Sequence, residues 1–163
     1  MKKFSVLLVA ILALMMLFVS CENEPKKRAA TKEDGEIING LFYVMRGKPV
    51  DEDTVKSNED EDTIEVEFIK TEYKDGENVV AVLNGTLTGK EDKKSETTTF
   101  SVDFRDGTKY KGKDHTLLAK VVVKMPAVEG DYPEVVSSEI MLDGVILTDF
   151  DFDYIFKTIF GKP

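Results

Sequence analysis

The chain has 163 residues, with 22 Lys and Arg against 31 Asp and Glu, one His, one Cys and no Trp. That length makes one domain and hardly two. A net charge of -9 repels phosphate backbones and sets nucleic acid aside as a partner; a single cysteine allows no internal disulfide, and one histidine leaves a zinc site only carboxylates to work with.

Met1-Lys2-Lys3 is followed by an apolar run from Phe4 to Val19 broken only by Ser5, then by Ser20, Cys21 and the polar Glu22-Asn23-Glu24-Pro25. Charged, apolar and small residues in that order make a secretory signal. The run has 16 residues, short of the roughly 20 that a spanning helix needs. An ordinary secretory signal with a chance cysteine and a true transmembrane anchor are the two alternatives. Leu17-Phe18-Val19-Ser20-Cys21 resembles the lipobox of bacterial prolipoproteins, over residues 1–21 only. Phe18 stands where leucine is commoner, and Val19 is larger than usual. The resemblance implies diacylglycerol on the Cys21 thiol, cleavage just before it and often a third acyl chain on the new amino group. Loss of residues 1–20 removes Lys2 and Lys3 and leaves a mature charge of -11. At about 0.8 kcal/mol per buried methylene, two or three chains hold a protein on a bilayer effectively for good. The expected location is therefore the cell envelope, lipid-anchored to a membrane; the outer membrane is favoured, and which membrane and which leaflet are left open.

Residues 21–35 carry no apolar side chain larger than Ala after the cysteine. They are expected to be a flexible lipidated tether, with Lys26, Lys27 and Arg28 as a weak headgroup patch. The folded unit is then 36–163.

From Glu36 onward the dominant period is two. Ile64, Val66 and Phe68 alternate with Glu65 and Glu67; Phe100, Val102 and Phe104 alternate with Thr99, Ser101 and Asp103. Each is a half-buried strand with one wet face. Leu117, Ala119, Val121 and Val123 alternate with a partly apolar second set, which predicts a more central strand. Val79, Ala81 and Leu83 continue the pattern, as do Val136, Ile140 and Leu142. Asp75-Gly76, Asn84-Gly85, Asp106-Gly107 and Asp143-Gly144 are turn dipeptides; Asp106-Gly107 is the strongest hairpin candidate, and Asn84-Gly85 reads also as a bulge in one long strand. At the C-terminus Phe150, Phe152, Tyr154 and Phe156 alternate as a strand would. Phe152, Ile155, Phe156, Ile159 and Phe160 also share one helical face behind Asp151 as N-cap, and a short helix over 152–160 is preferred. The predicted class is all-β: an antiparallel sandwich or small barrel of about 7–8 strands.

Candidate sites are weak. Asp51 and Asp53 precede Asp60 and Asp62 in an acidic loop, but the spacing fails the twelve-residue calcium loop, with Thr63 where glycine is required. Asp149, Asp151 and Asp153 fail it as well. His115 beside Asp114 is expected to be an exposed loop residue, since neighbours on a strand point to opposite faces. Arg105, Lys109, Lys111 and Lys113 form a basic stripe that could receive an anionic partner or simply guard a strand edge. No metal, cofactor or catalytic residue is assigned. The leading reading is a non-catalytic envelope domain, anchored through acyl chains on Cys21, that binds an unidentified envelope or external protein. A barrel carrying a small apolar ligand and an enzyme are the alternatives.

Overall fold

The computed structural model describes residues 25–124, 126 and 133–152. Cys21 and all of the C-terminal segment past Phe152 lie outside the described residues. So does the outcome of the strand-or-helix question there, apart from Phe152, which is helical.

The chain enters through strand β1 (Lys26–Ala29) and helix α1 (Lys32–Val44), then takes a 3₁₀ turn (Glu52–Thr54) into β2 (Val55–Asp60). Two long strands follow, β3 (Thr63–Asp75) and β4 (Asn78–Asp92), then β5 (Thr97–Phe104) and the short β6 (Lys109–Tyr110) and β7 (Lys113–Asp114). The series ends with β8 (Leu117–Lys124), β9 (Glu134–Leu142) and β10 (Val145–Thr148). They form one sheet in the order β1-β10-β9-β8-β5-β4-β3-β2, with β6 on β4 and β7 on β6. Every pairing is antiparallel except β1 with β10.

This corrects the expected sandwich or barrel. The sheet is single, mixed and open, ending at β1 and β2. The apolar face that a second sheet would have covered is covered by α1. A barrel cavity for an apolar ligand goes with the barrel.

Helix α1 also corrects the reading of residues 26–44. Thr31 is its N-cap: its Oγ1 accepts from Asp34 N at 3.3 Å, while the Asp34 carboxylate accepts from Thr31 N at 2.7 Å. This reciprocal box satisfies donors that a helix start leaves open, and Glu33 and Asp34 suit the positive end of the dipole. Ile37, Ile38, Leu41, Phe42 and Met45 then recur at helical spacing, not at period two. Ile38 and Leu41 are fully buried, each contributing about 1.5–3 kcal/mol against exposure. The would-be tether is thus fold from Lys26 on.

Ile38 and Leu41 share one continuous cluster with Phe68 and Leu83 on one side and Leu142 and Leu147 on the other. From β3 to β10 is five inter-strand spacings, about 24 Å at 4.8 Å each, and α1, 13 residues long, extends about 20 Å at 1.5 Å per residue. The sheet also carries irregularities. A bulge puts Ile69 and Lys70 opposite Asn84, with Lys70 at φ 49°, and Gly85 takes φ 138° beside it. Such irregularities bend a strand and increase its twist.

Asn84-Gly85 accordingly lies within one long strand. Asp75-Gly76 and Asp143-Gly144 close the β3–β4 and β9–β10 hairpins. Asp106-Gly107 does not close a hairpin: β5 pairs with β4 and β8, and the chain re-enters as β6 further along β4. Asn84 holds that step, its Nδ2 donating to Asp106 O at 2.8 Å and its backbone N to Thr108 Oγ1 at 3.1 Å.

Candidate functional site

Lys109-Tyr110-Lys111-Gly112-Lys113-Asp114 folds as a two-stranded ribbon. Lys111 and Gly112 make its tip at φ 49° and 78°, the positive values that a tight hairpin requires. Tyr110 packs on α1 at Gly40, where an added Cβ would sit 2.1 Å from the ring Cζ. Residues opposite each other in a ladder share a face, so Lys113 follows Tyr110. Lys109 and Asp114 take the other face and pair at 3.7 Å. The three lysines therefore do not line one strand face as their alternation suggested. They surround a ribbon tip, with Lys111 Nζ 5.2 Å from the Tyr110 ring centroid. Such cation–π contact is worth about 0.5–1 kcal/mol at an exposed site.

Arg105 does not join them. Its Nε donates to Asp103 Oδ1 at 2.8 Å and its Nη2 meets Asp103 Oδ2. This hydrogen bonding holds the Asp103 carboxyl below its usual range.

His115 is buried, not an exposed loop residue. Its partner is not the adjacent Asp114 but Asp143, 28 positions on: His115 Nδ1 lies 2.9 Å from Asp143 Oδ2. Asp143 Oδ1 accepts from Thr116 N at 2.8 Å, and Asp143 N donates to Thr116 O at 2.9 Å. The ribbon's exit is so fixed to the β9–β10 turn. The available sequence signal was the turn dipeptide Asp143-Gly144, whose aspartate has a side chain free to bond a neighbouring strand. Which strand lay beside it depended on a register that periodicity does not supply. One step beyond that turn, Val145 stands opposite Lys26. The basic ribbon, the β9–β10 turn and the point where the chain enters the fold are therefore contiguous.

The acidic candidates are not brought together. Asp51 and Asp53 both precede β2, in the 3₁₀ turn and its cap, where Asp51 Oδ1 accepts from Asp53 N at 3.0 Å. Asp60 and Asp62 lie at the other end of β2, about 20 Å away for six residues of strand. Asp62 is tied to Lys93 at 2.5 Å. Among the described residues no group of three or more His, Cys, Asp and Glu is placed to hold a metal ion.

A surface groove of about 450 Å³ lies between the first turns of α1 and the segment after β10, lined by Thr31, Gly35, Glu36, Asn39, Asp149 and Phe150. Asn39 is buried, and its Oδ1 has no partner among the described residues.

No family model, curated protein or solved structure matches the chain. Among the described residues no helix is long and apolar enough to cross a membrane. The arrangement sets the exposed lysines of the ribbon beside the chain entry and next to the exposed carboxylates Asp75, Glu77 and Asp106.

Proposed function

We propose that this chain is a lipid-anchored cell-envelope protein, acylated on Cys21, whose β-domain is held at a membrane surface to bind a protein partner without catalysing a reaction. The observation that carries the reading is the order of residues 1–21: two lysines, an apolar run too short to span, then small residues and the only cysteine. The fold adds one consequence to this reading. Lys26 already belongs to β1, so five residue steps separate the acylated sulfur from the sheet. At about 3.3–3.6 Å per residue that is at most roughly 18 Å of chain, so the domain sits directly on the anchor.

The test is metabolic labelling with a fatty-acid probe of wild type and Cys21→Ala, followed by protease treatment of whole cells. Label on wild type and none on the variant supports the anchor. An unlabelled wild type that starts at Met1 overturns it. Protection or cleavage of the domain then tells which side of the envelope the partner is on.

A further inference from the structure

We infer that the groove between α1 and the segment after β10 takes the side chain of a lysine on a protein partner, its ammonium held by the Asn39 amide, Glu36 and Asp149. This rests on the partner-binding reading and gives that partner a chemistry.

Three residues that cost the fold stability line this one groove. Asn39 is 8 % exposed, and its Oδ1 is buried with no partner among the described residues. A buried acceptor without a bond costs its desolvation, which an apolar side chain of the same shape would not. Gly35 lies one turn earlier on the same helix face, and a Cβ added there meets nothing within 4 Å. No packing contact therefore calls for glycine, which weakens a helix relative to alanine. Asp149 takes φ 55°, where a residue with a Cβ carries backbone strain. Positions that break local rules without a packing reason are expected at sites of function. The groove's volume of about 450 Å³ is that of a ligand site.

Charge says what enters. The lining carries the carboxylates of Glu36, Asp149 and Asp151 against the ammonium of Lys32. Lys32 Nζ lies 3.7 Å from Glu36 Oε1, but both side chains are exposed, and such a pair holds weakly. Arg28 is committed to Asp34. Residues 28–36 and 149–151 together hold two cations against five carboxylates. Lys26 is four residue steps back along β1 from Ala30, about 13 Å and beyond a Debye length of about 8 Å. Lys27 points to the other face of the sheet from Arg28. Glu33 and Asp34 meet the positive end of the α1 dipole.

An ammonium suits this set better than a guanidinium. It is a compact charge with three donors on a flexible stem. Asn39, Glu36 and Asp149 supply three acceptors from the two sides of the groove. A guanidinium asks instead for a planar fork on one carboxylate. The Asn39 amide can present Oδ1 by turning about its soft terminal torsion, with no hydrogen bond of that oxygen to give up. The methylenes of the lysine stem have the Phe150 ring to cover.

The test is an NMR titration of the purified acylated protein in a non-ionic detergent with N-acetyl-lysine methylamide, read at the backbone amides of Gly35 and Asn39. A probe of about fourteen heavy atoms should bind with a Kd of about 1 mM, and its uncharged norleucine analogue should not bind. Asn39→Leu and Gly35→Leu keep the net charge. Each should weaken the probe about tenfold or more, the first by removing the acceptor and the second by filling the groove, and each should melt no lower than wild type. Asp149→Asn should weaken it about fivefold, whereas Glu61→Gln, which removes the same charge at the β2–β3 turn, should leave it unchanged. Equal affinity in wild type and Asn39→Leu overturns the site and leaves only the attraction of an acidic protein for cations. An Asn39→Leu protein that melts lower than wild type overturns the premise that the amide is idle in the fold. An arginine probe that binds as tightly overturns the choice of lysine. Mass spectrometry of Cys21 on the same sample keeps the two readings apart. An acylated chain that ignores the probe overturns the groove and leaves the anchor standing; an unmodified thiol on a chain that binds it does the reverse.

Discussion

Gly85→Ala should be among the most damaging single substitutions in the sheet. Two separate costs meet there. Gly85 has φ 138°, a region open to glycine and closed to residues with a Cβ, at about 1–3 kcal/mol of strain. An added Cβ would also lie 1.9 Å from the backbone oxygen of Asp103. That oxygen belongs to β5 and cannot rotate away, so β4 and β5 would have to separate where Asn84 ties the step to β6, a forced fit of about 1–3 kcal/mol. Together these predict a loss of about 3–5 kcal/mol, a large share of the 5–15 kcal/mol typical of a domain, and a fall in Tm of about 10–20 °C. Gly89 in the same strand is the control. Its Cβ would meet the Phe100 ring at 3.5 Å, an ordinary contact, and its φ is not positive. Gly89→Ala should be neutral or stabilising by about 0.4–1 kcal/mol through the unfolded chain. Urea denaturation of the two variants separates these effects, and a Gly85→Ala protein within about 1 kcal/mol of wild type would refute the close approach.

Asp34 is buried, and hydrogen bonds from Arg28 first and then Thr31 hold its carboxyl well below the usual carboxylate range. A folded pKa below the unfolded one gives stability that is complete above about pH 4 and lost as the pH falls further. Thermal melts of wild type should show that acid-side loss; Asp34→Asn should be less stable at pH 7 by about 1–2 kcal/mol, since Arg28 is partly exposed, and flatter below pH 4. Gly40→Ala should destabilise despite alanine's better helix propensity of about 1 kcal/mol, because Tyr110 occupies the space. Tyr110→Ala should be costly alone yet reverse the sign of the Gly40→Ala effect in a double-mutant cycle. His115→Ala and Asp143→Ala should each cost about 1–2 kcal/mol, with a coupling of about 0.5–2 kcal/mol between them that denaturation of the four proteins would measure.

The strands were legible where alternation was unbroken. Val102 and Phe104 are buried as their period demands, and β8 sits between β5 and β9 as its two apolar faces suggested. The pattern misled at bulges. Val136 stands at a register shift between Val122 and Val123 of the paired strand and is 58 % exposed, because one extra residue turns a side chain to the other face. Ile64 keeps its register but lies beyond the reach of α1, and remains 49 % exposed. The helix was missed because Gly35 and Gly40 lower its propensity and its capping box begins inside a polar stretch. The Thr31-Asp34 pair was its readable sign. At the candidate site, the lysines of the ribbon could be read one by one, but not their arrangement. That depended on Lys111-Gly112 being the turn in place of Asp106-Gly107, and both pairs suit a turn.

The place of β1 links folding to the proposed anchoring. Lys26 pairs with Val145, so its sheet partner is made 119 residues later, and this edge cannot form until nearly the whole chain is present. Closing so long a loop costs entropy before any contact offsets it. The pairing is only four residues long and parallel, the slightly weaker arrangement per residue. What secures it is the contact between Arg28 and Asp34, with Nη2 to Oδ1 at 2.8 Å, which clips the strand to the helix whose Ile38 and Leu41 fill the core. A pull from Cys21 enters at Lys26 and runs along β1, so it loads the four pairs in shear and meets the Arg28–Asp34 clip before it reaches α1. The side chain that caps the helix therefore also fastens the domain to the end of the chain by which we propose it is held.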